Sequence, residues 1–398
     1  MSTSIEEFRW LASDDAAPYL ADTQQQIQDA VNVVRIAKSL RKNMSAPRSA
    51  LVLELAQLRI RGRRKFELAD QMFFTKRGLE QSTSHQIANY KADRFANSNC
   101  ERVADVCCSI GGDLLSLGQR TRVTGLDIDP VATLYAQKNI EAYGLASAEA
   151  RQLAFEDLNT AEFDAIHLDP DRRKQGRTVH GDFFQPTLSE IFNRLPPEKF
   201  AAIKIAPATP WHESIPMDAE REWIGNRREC KQQVIWAGAA ALKPGHLRAT
   251  RVVDGGKAYH FLTDVASLGE LATVAEKIGS FLYEPHSTIL AGQMTDALAN
   301  RYGLERMASD MVYLTGDDSA NDRMMRRFQV EETLPVDPRK ISARLKELNV
   351  GQLEIKNRGV PKFTVEKFER LKMVGDESRV LFLTRHRATQ VAIIATRA

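Results

Sequence analysis

Glycines and acidic residues follow a short apolar segment near residue 105 in an arrangement that could bind a nucleoside. Residues 103–107 predict a buried strand, Gly111 and Gly112 allow a tight turn after it, and a helix is predicted to begin near Asp113. The start of such a helix offers backbone N–H groups to a ligand. The segment therefore predicts the strand, turn and helix of a nucleotide site.

A second predicted strand, residues 123–126, ends in Asp127, sixteen residues after Gly111. In βαβ nucleotide sites a carboxylate near this position accepts hydrogen bonds from ribose hydroxyls. The spacing alone fits either a nicotinamide dinucleotide or S-adenosylmethionine.

Charge favours S-adenosylmethionine over the dinucleotide. Asp105 and Asp113 flank the turn, where they would compete with a pyrophosphate for the backbone amides. S-adenosylmethionine is net cationic, so a pocket edged by these two residues, Asp127 and Asp129 attracts it. Any one of these aspartates alone could instead cap a helix or turn. We predict S-adenosyl-L-methionine as the cofactor, in contact with Asp105, Cys107, Gly111, Gly112, Asp113, Asp127 and Ile128.

Composition sets wider limits. The chain has 398 residues, 43% of them hydrophobic, which is enough for a full core in two or three domains. Its 55 Lys and Arg against 52 Asp and Glu give a net charge of +3, too balanced for a polycation that binds nucleic acid indiscriminately. Neither cysteine nor histidine spacing suggests a disulfide or metal site. We expect no membrane span, no metal and a cytoplasmic location, and the oligomeric state stays open.

Apolar segments alternate with helical periods after the first two strands, as a doubly wound sheet requires. FDAIHL and AAIKIAP predict the fourth and fifth strands, and about seven are expected in all. The region before this sheet has helical periodicity, with Ile27, Ala30, Val31, Val34 and Ala37 expected on one face. The fold class is thus α/β, a Rossmann-like sheet preceded by a helical region.

The turn after the fourth strand is where we expect the chemistry, because ligands in open α/β sheets lie at the carboxyl ends of the strands. Asp169 offers a carboxylate and Pro170 a fixed carbonyl, and together they could hold a planar amine in line with a methyl donor. An ordinary turn in which Asp169 acts as a cap explains this segment equally well.

Basic residues follow directly in the same turn. Arg172 and Arg173 would suit a phosphate or carboxylate at the mouth of the pocket. Lys204, in the fifth strand, could line the same mouth or extend along its edge toward solvent. His167 is expected in the core or behind the site, and we assign it no catalytic role.

The segments KFELADQMFFTKRGLEQST, DVCCSIGGD, LDIDP, LDPDRR, IKIAPATP, FLYEPHSTILAGQM, VYLTGDD and GQLEIKNRGV resemble, in order, those of a known family. It comprises bacterial class I S-adenosylmethionine-dependent methyltransferases with a C-terminal THUMP-like domain, and the core is also similar to the trimethylguanosine synthase group. The resemblance implies that Asp105, Gly111, Gly112 and Asp127 hold the cofactor and that Asp169 and Pro170 hold the target. It also makes Glu156 and Asp157 candidate contacts to the adenine amino group.

The tail alternates helix and strand from about residue 328. Residues 331–398 contain fourteen Lys and Arg against nine Asp and Glu, a net charge of +5. A solvated surface explains this excess by charge alone, but the resemblance to THUMP-like modules, whose relatives accompany RNA-modifying enzymes, implies an RNA partner. Lys356 and Arg358 are then candidate phosphate contacts. We predict a helical region at 1–78, a methyltransferase domain at 79–327 and a THUMP-like domain at 328–398.

The predicted function is methyl transfer from S-adenosylmethionine to a base amine of structured RNA. Two alternatives stay open. One is a non-catalytic, cofactor-binding RNA-binding or assembly factor, and the other is a methyltransferase that acts on protein or a small molecule.

Overall fold

The computed structural model describes residues 3–172, 184–361, 365, 366, 368 and 373–398. Its helices are α1 (Ile5–Leu11), α2 (Ala17–Gln28), α3 (Val33–Leu40), α4 (Ala46–Gly62), α5 (Lys76–Gln81), α6 (His85–Ala96), α7 (Leu114–Gly118), α8 (Pro130–Ala142), α9 (Leu188–Arg194), α10 (Ser287–Ala291), α11 (Thr295–Tyr302) and α12 (Pro338–Glu347). Its strands are β1 (Arg102–Val106), β2 (Arg122–Asp127), β3 (Ala148–Gln152), β4 (Ala165–Leu168), β5 (Asp171–Arg172), β6 (Phe184–Gln185), β7 (Phe200–Ile205), β8 (Glu220–Asn226), β9 (Glu229–Ala237), β10 (His246–Val252), β11 (Ala258–Asp264), β12 (Phe281–Pro285), β13 (Glu305–Arg306), β14 (Leu314–Gly316), β15 (Met325–Pro335), β16 (Val350–Asn357), β17 (Glu377–His386) and β18 (Thr389–Arg397). In the described part of the chain no helix has the length and apolar character needed to cross a bilayer.

Parallel strands in the order β7-β4-β1-β2-β3 form the part of the main sheet that carries the predicted site. β4 is buried at all four positions and β1 at four of five, as expected for strands covered on both faces. β9 pairs antiparallel with β7 and lies between β7 and β8. The predicted α/β Rossmann-like fold is confirmed.

The main sheet has nine strands, in the order β11-β10-β8-β9-β7-β4-β1-β2-β3, and the estimate of about seven was too low. β8 accounts for part of the difference, because its sequence EREWIGN places charged residues among apolar ones and lacks a clear strand period. Its Glu220 and Glu222 are nevertheless fully buried.

Contacts divide the chain into two compact units. The first comprises Met1–Arg221, Gln232–Pro244 and Val252–Ala258, and the second comprises Glu222–Lys231, Gly245–Arg251 and Tyr259–Ala398. The second unit contains a seven-stranded sheet in the order β13-β14-β12-β15-β18-β17-β16. The domain boundaries expected after residues 78 and 327 stay predictions.

The single helical face expected over residues 27–37 is wrong. α2 ends at Gln28, Ala30 takes a left-handed conformation (φ 57°), and Asn32 caps α3 by accepting a hydrogen bond from the N–H of Val34. Val34 is 75% exposed. Apolar periodicity across a break of this kind cannot show where one helix ends and another begins.

Asn139 of α8 joins three segments around the predicted glycine turn. Its side-chain oxygen accepts from the N–H of Phe73 at 2.7 Å, and its amide donates to the carbonyls of Phe73 at 3.0 Å and Ile110 at 2.8 Å. The residue is fully buried. The amide therefore fixes the turn that contains Ile110 to both α8 and the segment before α5.

Replacement of Asn139 by alanine should lower the free energy of unfolding by about 2–4 kcal/mol, because it leaves buried backbone groups of Phe73 and Ile110 unpaired. Urea denaturation measures this. As the matched control, Asn159→Ala removes an exposed cap contact to Ala161 and should cost only about 1 kcal/mol. Equal losses in the two variants would contradict the role given to Asn139.

Candidate active site

The turn after β1 has an unusual backbone. Cys107, Ser109 and Gly111 all have positive φ, at 57°, 51° and 91°. Glycine adopts this conformation freely, but for the other two residues the strain costs about 1–3 kcal/mol of free energy each. Strain of this kind persists where the surrounding structure imposes it, and it is common at ligand sites.

Gly112 is required for close packing. A Cβ at this position would lie 3.1 Å from the Cβ of Ser82 and 3.3 Å from the backbone nitrogen of Thr83. Lys65 holds this neighbouring segment in place, since its ammonium donates to the carbonyls of Leu79 at 2.7 Å and Ser82 at 2.9 Å. The turn is therefore clamped against the segment that precedes α6.

Asp127, at the end of β2, fixes the turn from the other side. One carboxylate oxygen accepts from the N–H of Ser109 at 2.8 Å and the other from the N–H of Asp129 at 2.9 Å. Burial raises the pKa of this carboxyl above its usual value, although the two N–H bonds oppose the shift. Each oxygen keeps a lone pair for a further donor. The next residue, Ile128, is 70% exposed and presents an apolar surface beside the carboxylate.

Behind the turn lies a buried charge network, which we define as Lys91, Asp105, Asp113 and His167. The ammonium of Lys91 lies 2.8 Å from a carboxylate oxygen of Asp113 and 3.0 Å from Nε2 of His167. Nδ1 of His167 lies 2.6 Å from a carboxylate oxygen of Asp105. Thr83 donates its hydroxyl to Asp113 at 2.7 Å. All four members are 7% exposed or less.

The members of this network affect each other's ionisation. Burial lowers the pKa of Lys91, while Asp113 opposes that effect. Burial also works against ionisation of Asp113, but the charges of Lys91 and His167 outweigh it and hold the pKa of this carboxyl below its usual range. Burial raises the pKa of Asp105, against the influence of His167. The network is therefore internally compensated, which is what allows charges to exist at this depth.

This compensation corrects the electrostatic part of the sequence argument. Asp105 and Asp113 were expected to attract a cationic cofactor, but Lys91 forms an ion pair with Asp113, and Nδ1 of His167 lies 2.6 Å from Asp105. Long-range attraction is left to Asp127 and Asp129, which lie nearer solvent. Asp105 still offers a contact, because its Oδ2 is buried and has no hydrogen-bond partner among the described residues. The residues present fit S-adenosylmethionine: an unpaired buried acceptor, a free lone pair on each Asp127 oxygen, and the apolar Ile128.

Asp169 lies at the carboxyl end of β4, next to β1. Its N–H donates to the carbonyl of Val106 at 3.1 Å. Its Oδ2 lies 2.5 Å from the ammonium of Lys204 in β7, and the side chain of Asp169 is 32% exposed. Asp169 and the other negative groups raise the pKa of Lys204 although burial opposes this. Of the two possibilities left open for Lys204, the structure supports a place beside Asp169, and Pro170 is buried next to it.

The remaining predicted site residues are less closely grouped. Asp157 is exposed at the end of the 3-10 helix Phe155–Asp157, which follows β3. Arg172 is described only by its backbone, in the short pair of β5 with β6, and Arg173 lies outside the described residues. In the second unit Arg358 is exposed, while the ammonium of Lys356 is held by Glu284 at 2.8 and 2.9 Å. The charge of Lys356 is thus paired within the protein, and we do not include Lys356 in an RNA-contacting surface.

Lys91 was missed from the sequence, although a signal for it exists. It lies four residues after Ile87 and four before Phe95, on the apolar face of α6. A lysine in the middle of such a face must either extend to solvent or find a buried partner. The partner, Asp113, could not be named because α6 and the turn meet only in the folded chain.

Lys91→Met should lower the free energy of unfolding by about 3–5 kcal/mol, because Asp113 loses its ion-pair partner and becomes an uncompensated buried charge. Thermal and urea denaturation of the full chain measure the loss. Lys138→Met is the matched control, since Lys138 pairs with Glu141 on the surface, and it should change the stability by no more than about 0.5 kcal/mol. A stable Lys91→Met protein would show that methionine packs there at no electrostatic cost.

Known proteins agree with this geometry. A family model described as THUMP domain-like matches residues 325–397. Two uncharacterized S-adenosylmethionine-dependent methyltransferases of Mycobacterium tuberculosis, from strains CDC 1551 and ATCC 25618 / H37Rv, are each 28% identical to the chain over 320 residues, which is 79% of this chain and 85% of the relative. A crystal structure from Porphyromonas gingivalis W83, provisionally named a methyltransferase, has a TM-score of 0.74 and 18% identity, and the match covers 93% of this chain and 98% of the other.

The predicted family, fold and cofactor are thus confirmed. The parallel order β7-β4-β1-β2-β3, the turn between β1 and α7, the tail that matches the THUMP-like model and the curated relatives all agree. The chain has the fold of a methyltransferase, is similar over 79% of its length to S-adenosylmethionine-dependent methyltransferases, and matches the THUMP domain-like model at its C-terminus.

Proposed function

We propose that this methyltransferase transfers the methyl group to a base amine of structured RNA, with Asp169 as the residue that holds the amine. The observation that carries this proposal is the position of Asp169. Its carboxylate is partly exposed at the carboxyl end of β4, and its backbone is bonded to Val106, the last residue of β1 before the glycine turn. This is the edge of the sheet at which α/β enzymes bind their ligands.

Asp169 acts by orientation in this proposal. When bound, S-adenosylmethionine supplies an electrophilic methyl group. A base amine is a poor nucleophile because its lone pair is conjugated with the ring, so it must be aimed. In the described part of the chain, Lys204 holds Oδ2 of Asp169 and no hydrogen bond is made to Oδ1. Oδ1 can therefore accept the amine N–H, and the carbonyl of Pro170 can accept a second one.

Lys204 also fixes the orientation of Asp169, because its ammonium lies 2.5 Å from Oδ2. The carboxylate is therefore a positioning group in this proposal. Asp169 thus holds and aims the amine, and the proton that the amine loses after transfer is taken up by solvent.

RNA is the substrate class that the second unit supports. Its C-terminal part matches a model described as THUMP domain-like, and the resemblance of the tail to THUMP-like modules implies an RNA partner. The local charge of +5 over residues 331–398 favours a polyanion over a neutral or basic substrate. Arg358, which is exposed, is available for a phosphate.

Comparison of modified nucleosides in cellular RNA with and without the gene tests the substrate. The proposal expects one methylated nucleoside to disappear on deletion and to return when the purified protein is added to RNA from the deletion strain with S-adenosylmethionine. Cofactor binding without transfer to any cellular RNA would favour the non-catalytic RNA-binding alternative. Transfer to protein or a small molecule alone would favour the other alternative.

Asp169→Asn should reduce the rate of methyl transfer by about 100-fold or more at saturating RNA, because the amine loses a charged acceptor. Single-turnover kinetics with labelled cofactor measure the rate, and calorimetry should show unchanged cofactor affinity. Asp164→Asn is the matched control at the opposite end of β4, where the carboxylate binds the backbone of Arg102, and it should keep nearly full activity. An Asp169→Asn enzyme as fast as the parent would eliminate the proposed mechanism.

Asp127→Asn should weaken the binding of S-adenosylmethionine by about 10–100-fold, because hydrogen bonds to a charged acceptor contribute about 1.5–3 kcal/mol. Asp129→Asn, which keeps a cap for α8, should have a much smaller effect. The affinity of the parent should also fall as the pH is lowered through the raised pKa of Asp127, since protonation removes an acceptor. Calorimetry at pH values between roughly 4 and 7, where a carboxyl with a raised pKa titrates, checks the effect of each variant and of pH. If Asp127→Asn shows the same pH-dependent loss of affinity, that loss belongs to another group.

A further inference from the structure

A second concentration of charge lies wholly within the second unit, in a pocket of about 450 Å³ that includes open solvent at its mouth. We call it the arginine pocket. The residues that define it come from the β8–β9 turn, β10, the start of β15 and the segment after β16: Arg227, Arg228, Arg251, Arg323, Arg326 and Arg358. Among its described lining residues Glu284 is the only acidic one.

The carboxylates near the arginine pocket are already engaged. Glu284 binds the ammonium of Lys356 through both oxygens, at 2.8 and 2.9 Å. Glu354 pairs with Arg228 at 3.2 Å and also with Arg397. In the described ranges no carboxylate forms an ion pair with the remaining five arginines of the pocket. The pocket therefore keeps a large excess of positive charge.

Three buried polar atoms on residues that line this pocket lack partners. Nε of Arg251, Nη1 of Arg326 and Oγ of Ser287 are buried, and none makes a hydrogen bond to another described residue. Buried donors in folded proteins are almost always satisfied. Two unpaired guanidinium donors and a hydroxyl on the residues that line one cavity favour a ligand rich in acceptors.

The positive charge of the pocket also affects the ionisation of His286. Burial, together with the charges of Arg251 and Arg326, lowers its pKa to about 4, although a hydrogen bond to the carbonyl of Arg227 opposes the shift. The ring is therefore neutral near pH 7. Its Nε2 lies 3.1 Å from that carbonyl and so fixes the backbone beside Arg227 and Arg228. The charge of the pocket comes from arginines, which stay protonated at all ordinary pH values.

The shape and chemistry select a phosphate group. Guanidinium forks match tetrahedral oxyanions, and several of them compensate a dianion better than a single carboxylate charge. The described lining residues include no phenylalanine, tyrosine or tryptophan on which a base could stack. We propose that the arginine pocket binds a phosphate group, with Arg251, Arg326 and Ser287 as its inner contacts. The group comes either from the phosphorylated end of an RNA, a source that rests on the proposed function, or from a free phosphorylated small molecule.

Binding of inorganic phosphate to the full chain, measured by calorimetry, tests the site. Arg326→Gln should weaken it by at least about 10-fold. Arg327→Gln is the matched control on the same strand: it removes the same charge, but its guanidinium lies over the ring of Phe281, 5.3 Å away, and it does not line the pocket. Arg327→Gln should bind phosphate within about 3-fold of the parent. Undetectable phosphate binding by the folded parent, or equal losses in both variants, would overturn the proposal.

The melting temperature, measured with and without phosphate, gives a second test. Arg326 is a partly buried guanidinium whose pKa is lowered by burial and by Arg228, so Arg326→Gln should melt at the same temperature as the parent or higher. Phosphate should raise the melting temperature of the parent and of Arg327→Gln, and not that of Arg326→Gln. An unfolded Arg326→Gln protein would contradict the assignment, because it would show that the arginine serves the fold.

Short RNAs with and without a terminal phosphate distinguish the two sources. Tighter binding of the phosphorylated RNA by the parent, lost in Arg326→Gln, assigns the pocket to an RNA end. Equal binding of both RNAs, with inorganic phosphate still bound, assigns it to a small molecule. These measurements do not depend on methyl transfer. Phosphate binding without RNA methylation would support the phosphate site and contradict the proposed function. RNA methylation without phosphate binding would contradict only the phosphate site.

Discussion

The ion pair between Lys91 and Asp113, with His167 and Asp105 behind it, is the interaction on which the cofactor site depends. It connects α6, the end of β1, the glycine turn and β4 through side chains that water does not reach. An isolated charge at this depth would be prohibitively costly, so each member requires the others. The turn is therefore held by electrostatic pairing from beneath and by Asn139, Gly112 and Asp127 around its rim.

This arrangement explains how non-glycine residues tolerate a left-handed backbone in the turn. Cys107 and Ser109 would leave that conformation if the turn were free, because side chains other than glycine disfavour it. The N–H of Ser109 is instead bonded to Asp127, and the N–H of Cys108 to the carbonyl of Leu126 at 3.0 Å. Those bonds compensate part of the strain, and the clamp of Ser82 and Thr83 against Gly112 prevents its release.

Local sequence was enough to predict the parts of the site that lie on one continuous segment. The strand, the turn at Gly111 and the position of Asp127 follow from apolar runs and glycine spacing within thirty residues or so. Lys91 and Thr83 were missed because no periodic pattern links them to their partner Asp113, which they meet only through packing of the folded chain. The prediction for Asp105 was incomplete for the same reason. Its negative charge can be read from the sequence, but its contact with His167 cannot.

Buried charge is arranged differently around the cofactor site and around the arginine pocket. In the first unit, Lys91, Asp113, Asp105 and His167 compensate one another, and Arg94 is matched by Glu220 at 2.6 Å. Such pairing allows charges at this depth, and Oδ2 of Asp105 is left without a partner among the described residues, available to the cofactor. In the second unit Arg251 and Arg326 keep unpaired buried donors while the nearby carboxylates are bound to other cations. Unpaired charge of this kind does not stabilise a fold, and this is the physical basis of the proposal that the arginine pocket binds a phosphate group.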